Sequence, residues 1–121
     1  MDWITLAVIA ALVISFIFIK RSGQIAEEEA REHLKNGALV IDVRTPGEFS
    51  SGHLKGAINI PLDGIESTLP RRVKDKNQVL LLHCQSGMRS GIAVKKLNGI
   101  GYANAFNLGS YGRAARLLSS K

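Results

Sequence analysis

The chain has one cysteine, three prolines, one tryptophan and two tyrosines among its 121 residues. A single cysteine excludes a disulfide framework and suits a compartment where thiols stay reduced. Aromatic residues make up only 6% of the chain, and none is interleaved with the basic clusters. A net charge of +6 therefore does not read as nucleic-acid binding, because the recognisable modules set stacking faces or reading helices beside their cations. Internal repeats and low-complexity tracts are also missing. Charge is absent altogether from Trp3 to Ile19, where only Thr5 and Ser15 are polar.

That uncharged stretch is the first thing present. As a helix it reaches about 25 Å, the short end of what crosses a hydrocarbon core of roughly 30 Å. Trp3 suits one interface, and Lys20 and Arg21 can snorkel to the other. A cleaved signal peptide would have a basic segment before the stretch and a small-residue cleavage site after it. Only Asp2 precedes it, and "SFIFIKRSG" offers no such site. A core helix would be apolar on every face. The expectation is one uncleaved transmembrane helix over residues 1–21 and a domain over residues 22–121. All sixteen Lys and Arg follow Ile19, so the N-terminus is expected outside and the domain in the cytoplasm. "RRVKDK" (Arg71 to Lys76), Arg113, Arg116 and Lys121 read as a solvated face, or as a basic surface beneath an anionic leaflet.

The domain alternates helical and extended patterns. "IAEEEAREHLKNG" places Glu27, Glu28 and Glu29 in a first turn, repeats Ala26, Ala30 and Leu34 on one face, and closes at Gly37. "ALVIDV" (Ala38 to Val43) and "QVLLLH" are continuous apolar runs, as expected of parallel strands covered on both faces. "TPGEFSSGHLKG" reads as loop and turn, "AINIP" as a short strand, and the polar stretch after Pro61 as connection. "SGIAVKKLNGIG" is a helix starting near Ser90, "ANAFNLG" a strand and "YGRAARLLSS" a closing helix. The fold class is α/β: a small parallel sheet with helices on both faces, preceded by one transmembrane helix.

The lone cysteine sits in "VLLLHCQSGMRSG", at the carboxyl end of a central strand, where open α/β sheets bind ligands. Gly87 permits the positive φ that a tight curl toward the next helix needs. Successive amides of such a curl form an anion nest around the sulfur. The helix N-terminus and Arg89 add positive potential, so Cys84 is expected to ionise below the usual thiol value and to act as a nucleophile. The plain alternative is a small buried hydrophobe.

These residues resemble those of the single-domain rhodaneses. "ALVIDVRTPGEFSSGHLKGAINIP" is similar to the family's first motif and "HCQSGMRS" to its active-site loop, with the match running from about Gln24 to near the C-terminus. The resemblance implies a small parallel α/β fold and a sulfurtransferase (EC 2.8.1 class) that needs neither metal nor cofactor. Cys84 is the implied catalytic residue and carries a persulfide. The loop Gln85, Ser86, Gly87, Met88, Arg89 and Ser90 binds the substrate. The implied donor is a small sulfur anion, thiosulfate or polysulfide, and the acceptor is cyanide, a thiol or a protein. Arg89 would orient the loop and the anionic donor.

His53 and His83 read as structural, since a preformed thiolate needs no base. Asp42 reads as holding its turn or facing the loop, and Arg44 and Glu48 as an ion pair with each other. Gln85 stands where many family members have a basic residue. In "NLGSYGRAARLL", Ser110 replaces a glycine and no tryptophan follows.

Two other classes compete. A membrane-tethered interaction module or sulfur carrier would leave the cysteine idle or loaded only by a partner. A phosphatase or arsenate-reductase relative would use a longer loop than the four residues between Cys84 and Arg89. The enzymatic readings also require that solvent reach the sulfur.

Overall fold

The computed structural model describes residues 2–119, without the side chains of residues 16–22. Four strands, β1 (Leu39–Asp42), β2 (Ile58–Asn59), β3 (Leu80–His83) and β4 (Ala105–Gly109), form one parallel sheet in the order β2-β1-β3-β4. Six helices accompany them: α1 (Trp3–Ser22), α2 (Glu27–Lys35), α3 (Pro46–Ser51), α4 (Ile65–Arg72), α5 (Met88–Gly99) and α6 (Tyr111–Ser119).

The pleat explains the layering. On β3, Leu80 and Leu82 enter one core with Ile65 and Leu69 of α4 and Ala93 and Leu97 of α5. Leu81 points the other way, to Ala30 and Leu34 of α2 and Ala114 and Leu117 of α6. Each fully buried leucine contributes roughly 2 kcal/mol through lost water contact. The expected helix-covered parallel sheet is therefore present, with α4 and α5 on one face and α2 and α6 on the other. A partly exposed ion pair, Arg116 to Glu27 at 2.7 Å, joins α6 to α2.

Two segments differ from the sequence expectation. "TPGEFSSGHLKG" is not wholly loop, because α3 forms within it. Thr45 caps that helix: its Oγ1 accepts the Glu48 amide at 3.2 Å, while Glu48 Oε1 accepts the Thr45 amide at 3.1 Å. Pro46 stands at the start of the helix, where its missing N–H costs nothing. The polar stretch after Pro61 also holds a helix, α4, which buries Ile65 and Leu69 one turn apart and tolerates Pro70 near its end. The helix expected from Ser90 starts earlier, at Met88.

Asp2 starts α1, accepting the Thr5 amide at 2.8 Å. Trp3, Ile4, Leu6, Val8, Ile9, Leu12, Val13 and Ile14 of this helix are exposed. Among the described residues, no helix is long and apolar enough to cross a membrane. The expected span over residues 1–21 falls partly on residues 16–22, whose side chains lie outside the described set.

Candidate active site

Strand β3 delivers Cys84 to the carboxyl edge of the sheet, where its amide donates to Gly109 O at 3.3 Å. The chain then turns through Gln85, Ser86 and Gly87 into α5. Two contacts hold this turn against the β4–α6 junction: the Tyr111 amide donates to Gln85 O at 3.2 Å, and Ser86 bridges Ser110. Gly87 has φ +93, and a Cβ there would lie 3.2 Å from Gln24 Nε2 and 3.3 Å from the Gly109 carbonyl carbon. A side chain here would be strained by the backbone and crowded by these neighbours.

A glycine at the N-cap leaves the first amides of α5 without a capping side chain. The cysteine sulfur takes that role. Its Sγ accepts the Gly87 amide at 3.0 Å and the Ser90 amide at 3.5 Å, with the Ser90 hydroxyl also 3.5 Å away. Burial, the largest single influence, pushes the Cys84 thiol up. The Ser90 hydroxyl, then the amides of Ser90, Gly87 and Ser86, together outweigh it and hold the thiol below its ordinary value.

Of the successive amides expected around the sulfur, those of Gly87 and Ser90 hydrogen-bond it. Arg89, expected to add its charge, interacts with the Cys84 thiolate through space and is paired with Glu48. Its two terminal nitrogens meet Glu48 Oε1 at 2.7 Å and Oε2 at 3.0 Å. The Arg89 guanidinium, with help from the Thr45 amide, brings the Glu48 carboxyl down to about 2. Gln85, Ser86 and Met88 stand exposed at the mouth, Met88 by 74%. Cys84 itself is 0% exposed. The sulfur is closed over, contrary to the solvent access expected of a nucleophile.

The expected pair between Arg44 and Glu48 does not form. Arg44 instead folds back on Asp42, two residues away. Its Nε lies 3.0 Å from both carboxylate oxygens, and a terminal nitrogen lies 2.8 Å from Oδ2 and from Gly52 O. Both residues are buried, and the Arg44 guanidinium stacks 4.9 Å from the Tyr111 ring centroid. The short spacing and the strand end leave Asp42 as the nearer acid, while α3 turns Glu48 toward α5.

His83 is buried beneath the same corner. Its Nδ1 donates to Cys84 O at 3.2 Å, and its Nε2, with no hydrogen-bond partner, lies 3.8 Å from Asp42 Oδ2. Burial holds its pKa below the ordinary histidine value. His53 stacks on Phe49 and donates to the Phe49 carbonyl at 2.9 Å. Neither ring hydrogen-bonds the sulfur.

Sequence reasoning passed over Asn107. This buried residue of β4 accepts the Ser90 hydroxyl at 2.7 Å and the Gly109 amide at 2.9 Å, and donates to Gly87 O at 3.1 Å. It ties both sulfur-binding residues to the sheet. The signal was a lone amide in the otherwise apolar "AFNLG".

Comparison with known proteins places the chain in a family. The sequence model of the rhodanese-like domain family matches residues 26–112. Thiosulfate sulfurtransferase PspE of Escherichia coli K12 is 39% identical over 69 residues, covering 57% of this chain and 66%, just under two thirds, of the relative. The uncharacterized protein YqhL of Bacillus subtilis 168 is 36% identical over 112 residues, 88% of this chain and 86% of YqhL. Among solved structures, a rhodanese with anions from E. coli superposes with a TM-score of 0.61 at 35% identity, covering 64% of this chain and 91% of that one.

Proposed function

Because the chain belongs to the rhodanese-like domain family, we propose that it is a sulfurtransferase that carries sulfur as a persulfide on Cys84. The carrying observation is the cysteine sulfur seated as the cap of α5, within reach of the Gly87 and Ser90 amides.

The chemistry runs in two displacements. The Cys84 thiolate attacks the outer sulfur of a donor, forming a new S–S bond. The donor's own bond to that sulfur breaks and its electron pair leaves on the remainder, as sulfite when the donor is thiosulfate. An acceptor nucleophile then attacks the terminal sulfur and Cys84 departs as thiolate. The amides that face Sγ stabilise the charge at each stage without any proton transfer by a side-chain base. His83 and His53 therefore stay outside the reaction. Because Cys84 is covered at rest, each displacement requires the sulfur to become exposed.

The reading extends to placement in the cell. An α1 helix inserted in the membrane, N-terminus outward, would hold the domain at the cytoplasmic surface, where Lys20 and Arg21 follow the apolar stretch. Carbonate extraction tests this: release of the full chain into the soluble fraction defeats the anchor and leaves the chemistry untouched.

Coverage of the sulfur favours a second reading, an interaction module whose cysteine never turns over. Intact mass after thiosulfate or polysulfide treatment separates the two. The proposed function expects a gain of one sulfur atom in the wild type that is absent in Cys84→Ser. An unchanged wild-type mass under both donors sinks it.

A further inference from the structure

Outside α1, the described residues leave two large apolar side chains exposed, Met88 at 74% and Ile92 at 45%. They are not scattered. Both lie on α5, four residues apart and so on one face of the helix, and Lys95 and Lys96 continue that face through the next turn. Both lysines are exposed, and among the described residues neither is in an ion pair. α5 carries no acidic residue. Its opposite face enters the core through Ala93 and Leu97.

This face is joined to the sulfur by the turn of helix that both share. The amide of Gly87, next in the chain to Met88, reaches Sγ at 3.0 Å, and that of Ser90, between Met88 and Ile92, reaches it at 3.5 Å. The Met88 amide itself donates to Ser86 Oγ at 3.4 Å. Residues turned inward hold the sulfur while their neighbours turn outward. A body seated on Met88 and Ile92 therefore also meets exposed Gln85 and Ser86.

The spacing of Met88, Ile92 and Lys95 is that of a helix face laid against a partner's groove. Unpaired lysines call for an anionic partner, and the neighbouring charges decide its kind. Arg89 carries Glu48, and Asp63 lines the cleft beside that arginine. Carboxylates and free lysines are thus mixed about the loop, a pattern that suits a protein of matching mixed charge better than a uniformly negative leaflet. A protein also offers the thiol that a lipid headgroup lacks.

We infer that α5 is the docking face for a protein acceptor, a partner that lays an apolar side chain on Met88 and Ile92, sets carboxylates at Lys95 and Lys96, and brings a cysteine to the loop. This deepens the proposed function and rests on its Cys84 persulfide. The step balances: the partner's thiolate attacks the outer sulfur of Cys84–S–SH, the new S–S bond forms, the old one breaks, and Cys84 leaves as thiolate with the electron pair. The proton stays on the transferred sulfur, and no outside oxidant or reductant enters.

The test starts from the full chain loaded at Cys84, with loading confirmed by intact mass. Discharge is followed with cyanide, with a short capped peptide holding one cysteine among leucines and glutamates, and with the same peptide carrying lysines for the glutamates. Peptide rates are referred to each peptide's thiolate fraction. In the wild type the glutamate peptide should react about tenfold faster than the lysine peptide, and the advantage should shrink as salt is raised. Lys95→Glu/Lys96→Glu should reverse the order of the peptides, and Ile92→Ser should slow both. Cyanide rates should stay the same in these variants, whose altered side chains are exposed and touch neither the sulfur nor its donors.

Equal rates for the two peptides in the wild type overturn the inference, as does a glutamate advantage that survives Lys95→Glu/Lys96→Glu. Discharge of both peptides that phosphatidylserine vesicles block and phosphatidylcholine vesicles do not would give the face to lipid and overturn it too. In each of these cases Cys84 still loads. A wild type whose Cys84 fails to load overturns the proposed sulfur transfer itself, and the inference with it.

Discussion

The Ser90 hydroxyl lies 2.7 Å from Asn107 Oδ1 and 3.5 Å from Cys84 Sγ. One hydroxyl hydrogen cannot serve both. The shortest contact is to the amide oxygen, Gly87 O lies 3.1 Å from the same hydroxyl, and a rotation about one bond would turn the hydrogen to the sulfur. Asn107 keeps its own place meanwhile through the Gly109 amide and Gly87 O. Ser90→Ala removes this donor and leaves the amides. The pH midpoint for alkylation of Cys84 by iodoacetamide should then move upward, lowering the thiolate fraction at neutrality. An unmoved midpoint would assign the depressed thiol to the amides alone.

Gly87 supports the same sulfur through its backbone. At φ +93 a side chain incurs the left-handed penalty of roughly 1–2 kcal/mol. A new Cβ would also press on Gln24 and Gly109 at 3.2 and 3.3 Å. Gly87→Ala is therefore expected to lower the thermal midpoint and to slow sulfur loading of Cys84 together. Retained stability with lost loading would confine the damage to the loop; retained loading would show that the sulfur does not depend on this turn.

The strands could be read because their residues report their surroundings directly. Leu80 to Leu82 are apolar without interruption since the sheet is covered twice, and Cys84 follows where such sheets open. Gly87 could be read as a turn because few other residues enter that region. The short helices were harder. In α3, Pro46, Gly47, Ser50 and Ser51 each favour turns locally, and the capping box of Thr45 and Glu48 outweighs them only through a reciprocal contact that composition does not register. The ion-pair partners were hidden for a similar reason. Arg44 and Glu48 are spaced for a helix face, but Arg44 lies before α3 begins, so its guanidinium returns to Asp42 and Glu48 is left for Arg89. That exchange changes the electrostatics of the site, because it sets a carboxylate beside the cation that the loop motif promised.

The return of Arg44 to Asp42 has an energetic consequence. Asp42 is 0% and Arg44 5% exposed. Removing the acid strands a buried guanidinium with Gly52 O as its remaining hydrogen-bond acceptor. Breaking one side of such a pair costs about 3–5 kcal/mol. Asp42→Ala should lower the urea midpoint accordingly, whereas the half-buried pair of Arg31 and Glu27 should matter far less. A midpoint within the range of surface substitutions would mean that Arg44 finds water once Asp42 is gone.

His83 gives the fold a pH dependence with a definite sign. Burial, foremost, lowers its pKa from 6.5, although Cys84 O and Asp42 pull the other way. In the unfolded chain the ring takes up a proton as pH falls through 6.5; in the folded chain it resists until lower pH. The unfolded state therefore binds more protons in that window. Its share of stability is whole above the unfolded value and is lost as pH falls toward the folded one, at a slope of at most about 1.4 kcal/mol per pH unit. Urea midpoints measured from about pH 7 down to about pH 5 should fall in the wild type and fall less in His83→Gln, whose amide can still donate to Cys84 O. Equal slopes in the two proteins would require the ring to accept its proton as readily inside as outside. Asp42 Oδ2, 3.8 Å from Nε2, would then have drawn close enough to hold it.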